Sequence, residues 1–117
     1  MESMDMRVLY LDVATTGMSI ENDRIVEIGL TETIDGKLTG YDFHRYIYPD
    51  NRSIESYAAE VNGYDLDFLI GKPHFGEISE ELIDFIKGAE VVSLVTAFDI
   101  GFLNAAVLRQ AASGIAA

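Results

Sequence analysis

The chain has 117 residues, room for one domain over 1–117, and no cysteine, which excludes a disulfide framework and a thiolate zinc site. Its 20 acidic and 8 basic residues leave a formal charge of −12, which opposes non-specific attachment to nucleic acid but leaves room for a local divalent cation. An apolar content of 49%, the lack of any membrane-length apolar stretch and a start (MESMDMR) unlike a signal peptide point to a soluble cytoplasmic protein with no membrane contact.

Arg7 to Ala14 (RVLYLDVA) is a short apolar run that reads as a buried strand, carrying Asp12 near its C-terminal end. Arg24 to Ile34 alternates, with Ile25, Glu27, Gly29 and Thr31 on one side and Val26, Ile28 and Leu30 on the other. Asp35-Gly36 predicts a tight hairpin, and Leu38 to Tyr48 is the return strand, stopped by Pro49. A short helix opens at Ser53 and ends at Asn62-Gly63, and a helical turn over Asp65 to Ile70 is closed by Gly71 and Pro73. The clearest helix is Phe75 to Lys87, with Ile78, Leu82, Ile83 and Ile86 on one face and Glu77, Glu80, Glu81 and Asp84 on the other. Glu90 to Ala97 (EVVSLVTA) reads as a buried β-branched strand, and Phe98-Asp99-Ile100-Gly101 leads into a final helix. This order describes an α/β sandwich on a mixed sheet.

Five short stretches stand out in sequence: LDVATTGM (11–18), IVEIG (25–29), FHRYIYPD (43–50), VNGYDLDFLIGKPHF (61–75) and AFDIGFL (97–103). In that order they resemble the motifs of the DnaQ-like (DEDD) 3′–5′ exonucleases, and among these the proofreading members. The resemblance implies an RNase H-like sheet of three antiparallel strands plus a parallel fourth, with flanking helices and the family's fifth strand missing. It also implies the family's chemistry, in which carboxylates hold two divalent ions about 4 Å apart for in-line displacement at phosphorus. Asp12 and Asp99 match two of those carboxylates, as catalytic residues and metal ligands, and Thr15, Thr16, Gly17 and Met18 match the segment that contacts a nucleotide. Mg²⁺ or Mn²⁺ is the implied cofactor, and a polymerase or single-stranded DNA the implied partner.

The sequence departs from the family at the site itself. Ala14 stands where the family has a Glu ligand, and Leu94-Val95-Thr96 where it has His-Asn-Ala. The third motif, with the general-base His and a further carboxylate, is expected to be lacking because Ala117 precedes the strand that would carry it. The expectation is therefore a degenerate, catalytically inactive exonuclease fold, serving as a binding or interaction module or representing a shortened or altered proofreading exonuclease, with cation binding weak or absent. The alternative is a weakly active exonuclease in which Asp12, Asp99 and an unexpected third carboxylate such as Glu27 suffice. Asp99 has a second reading as the N-cap of the final helix. His44 is expected to be packed among aromatics, and His74 to be exposed in a turn. From Ile100 to Ala117 only Arg109 is charged, while Phe102, Leu103, Ala106, Val107 and Leu108 point in nearly every helical direction. A helix apolar all round, beside an unprotected strand edge, predicts a homo-oligomer, most simply a dimer.

Overall fold

The computed structural model describes residues 6–49, 66–93 and 96–116. The helix expected from Ser53, its Asn62-Gly63 stop, and Leu94-Val95 lie outside the described residues.

Strands β1 (Arg7–Thr15) and β2 (Ile25–Ile34) form a long antiparallel pair in which Leu11 faces Leu30 and Val13 faces Ile28. Side chains alternate across a strand, so Leu9 and Leu11 enter the core while Tyr10, Asp12 and Ala14 take the opposite face. The Asp35-Gly36 turn closes as expected, both residues left-handed at φ 52° and 83°, a geometry whose twist suits a two-residue hairpin.

The return strand is not continuous, which corrects the expectation over Leu38 to Tyr48. It is split into β3 (Lys37–Leu38) and β4 (Phe43–Tyr46), both paired with β2. A continuous ladder starting from the Ile34–Lys37 pair would set Leu30 against Tyr41, yet Leu30 faces Phe43. Two extra residues have been accommodated: Gly40 turns at φ 82°, and the Asp42 carboxylate accepts the Glu32 N–H at 3.2 Å in place of a ladder carbonyl. An insertion of two preserves the alternation, so Phe43 still points into the core, where it is 3% exposed.

Helix α1 (Leu66–Leu69) is a single turn, followed by Gly71 at φ 88°. Helix α2 (Phe75–Ile86) begins where His74 donates its backbone N–H to Glu77 Oε1 at 2.7 Å. Its buried stripe is Ile78, Leu82 and Phe85 with Ser79, while Ile83 is exposed. The expected face holds at Ile78, Leu82 and, half-buried against the core, Ile86, but Phe85 takes the place expected for Ile83 and packs against Phe43, with ring centroids 5.6 Å apart.

Strand β5 (Glu90–Val92) runs parallel to β1, with Leu9 opposite Val91, and occupies the edge of the order β3-β2-β1-β5. It is shorter and less buried than the strand expected over Glu90 to Ala97, since helix α3 (Thr96–Ala116) already begins at Thr96. The β-branched run favours a strand locally, but docking Phe102, Leu103 and Ala106 on the core as one helical stripe prevails over that propensity. Helices α2 and α3 pack on the sheet face formed by Leu9, Leu11, Ile28 and Leu30, which leaves Asp12 on the other. No helix of the described residues is long and apolar enough to cross a membrane.

One core-facing position is charged. Glu32 lies opposite Leu9 and is 6% exposed, with Arg7 Nε at 2.6 Å and the Thr39 hydroxyl donating to its other oxygen at 2.6 Å. These two hydrogen bonds, Thr39 first, hold its carboxyl below the usual range against the opposing effect of burial. The same Arg7 places its guanidinium over the Phe85 ring and donates to the Lys87 carbonyl at the end of α2 at 3.2 Å.

Candidate active site

The site is built where β1 ends. Its register shifts between Ala14 and Thr15, a local irregularity that re-aims the strand just past Asp12. The following loop is tied by Asp23, 1% exposed, which accepts the Thr16 hydroxyl and the Ser19 N–H at 2.9 Å each. Thr16 closes the knot, donating its N–H to the Arg24 carbonyl at 2.8 Å and accepting the Arg24 N–H at 2.9 Å. The Thr15 hydroxyl donates to the Gly17 carbonyl at 2.6 Å. Thr15, Thr16 and Gly17 are therefore buried and engaged in holding the loop, and of the four residues matched to nucleotide contact only Met18 is widely open to solvent. Asp23 went unnoticed in the sequence; the available signal was an acid closing a Thr-Thr-Gly loop directly before a strand.

Asp99 lies inside the first turn of α3 rather than at its N-cap, and the Ser93 hydroxyl donates to it. It is 6% exposed, and burial pushes its carboxyl above the usual range. The Ser93 hydrogen bond opposes that rise, and the negative charge of Asp12 adds to it. β1 and α3 thus place the two predicted carboxylates within electrostatic reach of each other. Gly101 stands where the start of α3 meets the loop after β1; a Cβ there would lie 2.7 Å from Ile20 Cδ1, the flexible tip of a side chain of that loop.

The sheet register decides what surrounds Asp12. Asp12, Gly29 and His44 form one cross-strand row, and Ala14, Glu27 and Tyr46 the next. Cross-strand partners share a face, so Glu27 stands beside Ala14 on the face that carries Asp12. His44 is exposed rather than packed among aromatics, which corrects its reading: its Nε2 lies 2.6 Å from Glu27 Oε2, and its ring meets Tyr46 edge-on at 4.9 Å. His74 is exposed, as expected, at the start of α2. Among the described residues no group of three His, Asp or Glu side chains is arranged to hold a metal. Asp12 and Asp99 are the two carboxylates available to a hard cation here, and Ala14, on the face of Asp12, offers only a methyl group beside them.

A mixed sheet whose first strand delivers an Asp beside another Asp in the helix after a parallel strand is the framework of a 3′–5′ exonuclease domain. The chain belongs to the exonuclease family, whose model, described as Exonuclease, matches residues 9–113. It is 43% identical over 103 residues to the DNA polymerase III subunit epsilon of Escherichia coli (strain K12), covering 84% of this chain and 42% of that protein. Against the epsilon subunit of Buchnera aphidicola subsp. Schizaphis graminum the identity is also 43%, with 84% and 44% covered. The chain thus spans less than half the length of these relatives. Among solved structures, exonuclease I in its complex with SSB and an inhibitor superposes with a TM-score of 0.83 at 15% identity, over 92% of this chain and 25% of that one. The nuclease domain of 3′hExo, a DEDDh family member bound to rAMP, superposes with a TM-score of 0.73 at 18% identity, over 95% and 62%. These likenesses establish the RNase H-like exonuclease fold.

Proposed function

We propose that this chain is a proofreading-type exonuclease fold that does not hydrolyse phosphodiesters by itself and acts as a binding module towards a replicative polymerase, single-stranded DNA or a second copy. The observation that carries this reading is Ala14, on the same face and strand as Asp12, where a metal ligand is required. The polymerase is supported by the relatives, which are DNA polymerase III subunits. Asp12 and Asp99 would hold Mg²⁺ or Mn²⁺ weakly, and a cation there would offset their mutual repulsion and attract a phosphate. A labelled single-stranded oligonucleotide incubated with the chain and Mg²⁺ or Mn²⁺ should keep its length. Metal-dependent shortening that Asp12→Ala abolishes would refute the proposal.

One observation favours a second reading, weak activity. Glu27, directly across from Ala14, brings a carboxylate to the face of Asp12 from the neighbouring strand. Under that reading Glu27→Gln removes whatever metal-dependent shortening is measured, whereas under the first there is none to remove.

Self-association is supported by a cavity of about 680 Å³ between α2, β5 and α3, lined by Ile83, Ile86, Val91, Ile100, Leu103, Val107 and Leu108 with Lys87 and Asn104. The edge position of β5 beside it would let a second chain cover the apolar surface and pair with the strand at once.

A further inference from the structure

In a chain of charge −12, two of the eight basic side chains meet in one cavity. It measures about 290 Å³ and lies between the start of β2, the segment after β4, the first turn of α2 and the far part of α3. Arg24 and Arg109 line it, together with Tyr48, Phe75, Gly76 and Gln110, and among the described residues no Asp or Glu does. Arg109 is ten residues beyond Asp99 on α3, about 15 Å along the helix axis, which separates the cavity from the Asp12–Asp99 pair.

The two guanidinium groups are not there to neutralise one another's surroundings. Arg24 is half-buried and donates Nη1 to the carbonyls of Asn22 and Asp23, at 3.0 and 3.1 Å. Among the described residues neither arginine forms an ion pair with a carboxylate. Arg109 is half-buried as well, and burial, reinforced by the positive charge of Arg24, draws its guanidinium below the usual range. Holding two like charges together in a partly dry cavity is unfavourable until an anion enters.

The rest of the lining suits such an anion. Gly76 is the second residue of α2, and its N–H belongs to the first turn, whose donors have no partner within the helix. A Cβ at position 76 would lie 2.8 Å from Gln110 Oε1, so glycine allows the Gln110 amide to rest against that turn. Tyr48 and Phe75 supply aromatic surface beside the charges. Guanidinium forks match the oxygens of a phosphate, and aromatic faces accept a planar base.

We infer that this cavity is a phosphate-binding site that takes the phosphate monoester of a free mononucleotide, without a metal ion. The inference does not depend on whether the chain hydrolyses DNA. The experiment is a titration of the full chain with dTMP, inorganic phosphate and thymidine in EDTA, at constant ionic strength, which keeps the Asp12–Asp99 pair out of the measurement. Saturable binding of dTMP is expected, with phosphate competing and thymidine not, and Arg109→Gln should weaken it at least tenfold. Since Arg109 feels the charge of Arg24 and no carboxylate among the described residues pairs with it, Arg109→Gln should also melt no lower than the parent chain in phosphate-free buffer, a behaviour that a merely structural arginine would not show. If that variant fails to fold, Arg24→Gln and the parent chain's rise in Tm with phosphate over chloride serve in its place. Thymidine binding as well as dTMP, indifference of binding to both substitutions, preference for an unphosphorylated oligonucleotide over dTMP, or no effect of dTMP and phosphate at about 10 mM would each overturn the site.

Discussion

Substituting Ala14 by Glu tests whether one missing ligand separates the Asp12–Asp99 pair from a working metal site. The new carboxylate would project from β1 on the face of Asp12, directly across the ladder from Glu27. Without metal, like charges in that cross-strand position cost about 0.2–1 kcal/mol, so the variant should melt slightly below the parent chain in EDTA. With metal the balance reverses, because Asp12, Asp99 and the introduced carboxylate would form a three-ligand site whose charges the cation neutralises. At about a hundredfold excess of Mg²⁺ over Kd the stabilisation is about 2.7 kcal/mol. A domain of this size shifts by roughly 3–6 °C per kcal/mol, so melting in Mg²⁺ should exceed melting in EDTA by roughly 8–16 °C. The parent chain should move far less, and Ala14→Gln, similar in size but uncharged, should follow the parent. Scanning calorimetry of the three proteins in EDTA and in MgCl₂ provides the measurement. The reasoning is refuted if the Glu variant gains nothing from Mg²⁺, or if the parent chain gains as much.

Glu32→Gln should destabilise the fold by about 1–3 kcal/mol near neutral pH through loss of charge-assisted hydrogen bonds with Arg7 and Thr39. Its folded-state pKa is depressed, so its stabilisation is present above the unfolded value of about 4.3 and disappears as pH falls through the folded value; denaturant curves for the two proteins that stay equally far apart at acid pH would contradict this. Asp99→Asn should raise Tm at pH 7 in EDTA, because the folded-state pKa of Asp99 is raised and its charged form is disfavoured by burial and Asp12. That gain should fade as pH drops below the unfolded Asp value of about 3.9, and a lower Tm at pH 7 would show that the Ser93 hydrogen bond outweighs the repulsion. Light scattering should give twice 12.9 kDa for the parent chain at micromolar concentration and 12.9 kDa for Leu108→Lys, which places a charge on the 69% exposed apolar side of α3; a parent mass of 12.9 kDa, unchanged on concentrating, rules out the dimer.

Much of the framework was legible because short-range chemistry dictates it. The alternation in β1 and β2, the Asp35-Gly36 turn and the start of α2 after Pro73 report local periodicity and backbone preference, and each element lies where those signals put it. The motif order sufficed to identify the family, and Ala14 was visible as a departure from it. What the sequence could not contain was pairing between distant segments. The two-residue insertion between β3 and β4 depends on an Asp42–Glu32 hydrogen bond, and β5 yields to α3 because Phe102 and Leu103 find the core as one helical stripe. The partners that let Glu32 lie buried, Arg7 and Thr39, come from other segments of the chain. Likewise the register that sets Glu27 beside Ala14, the meeting of Asp12 with Asp99, and that of Arg24 with Arg109 come from elements packing in three dimensions. Periodicity says which residues share a face of one element; only tertiary packing decides which face meets which, and the chemistry of this chain lies in those meetings.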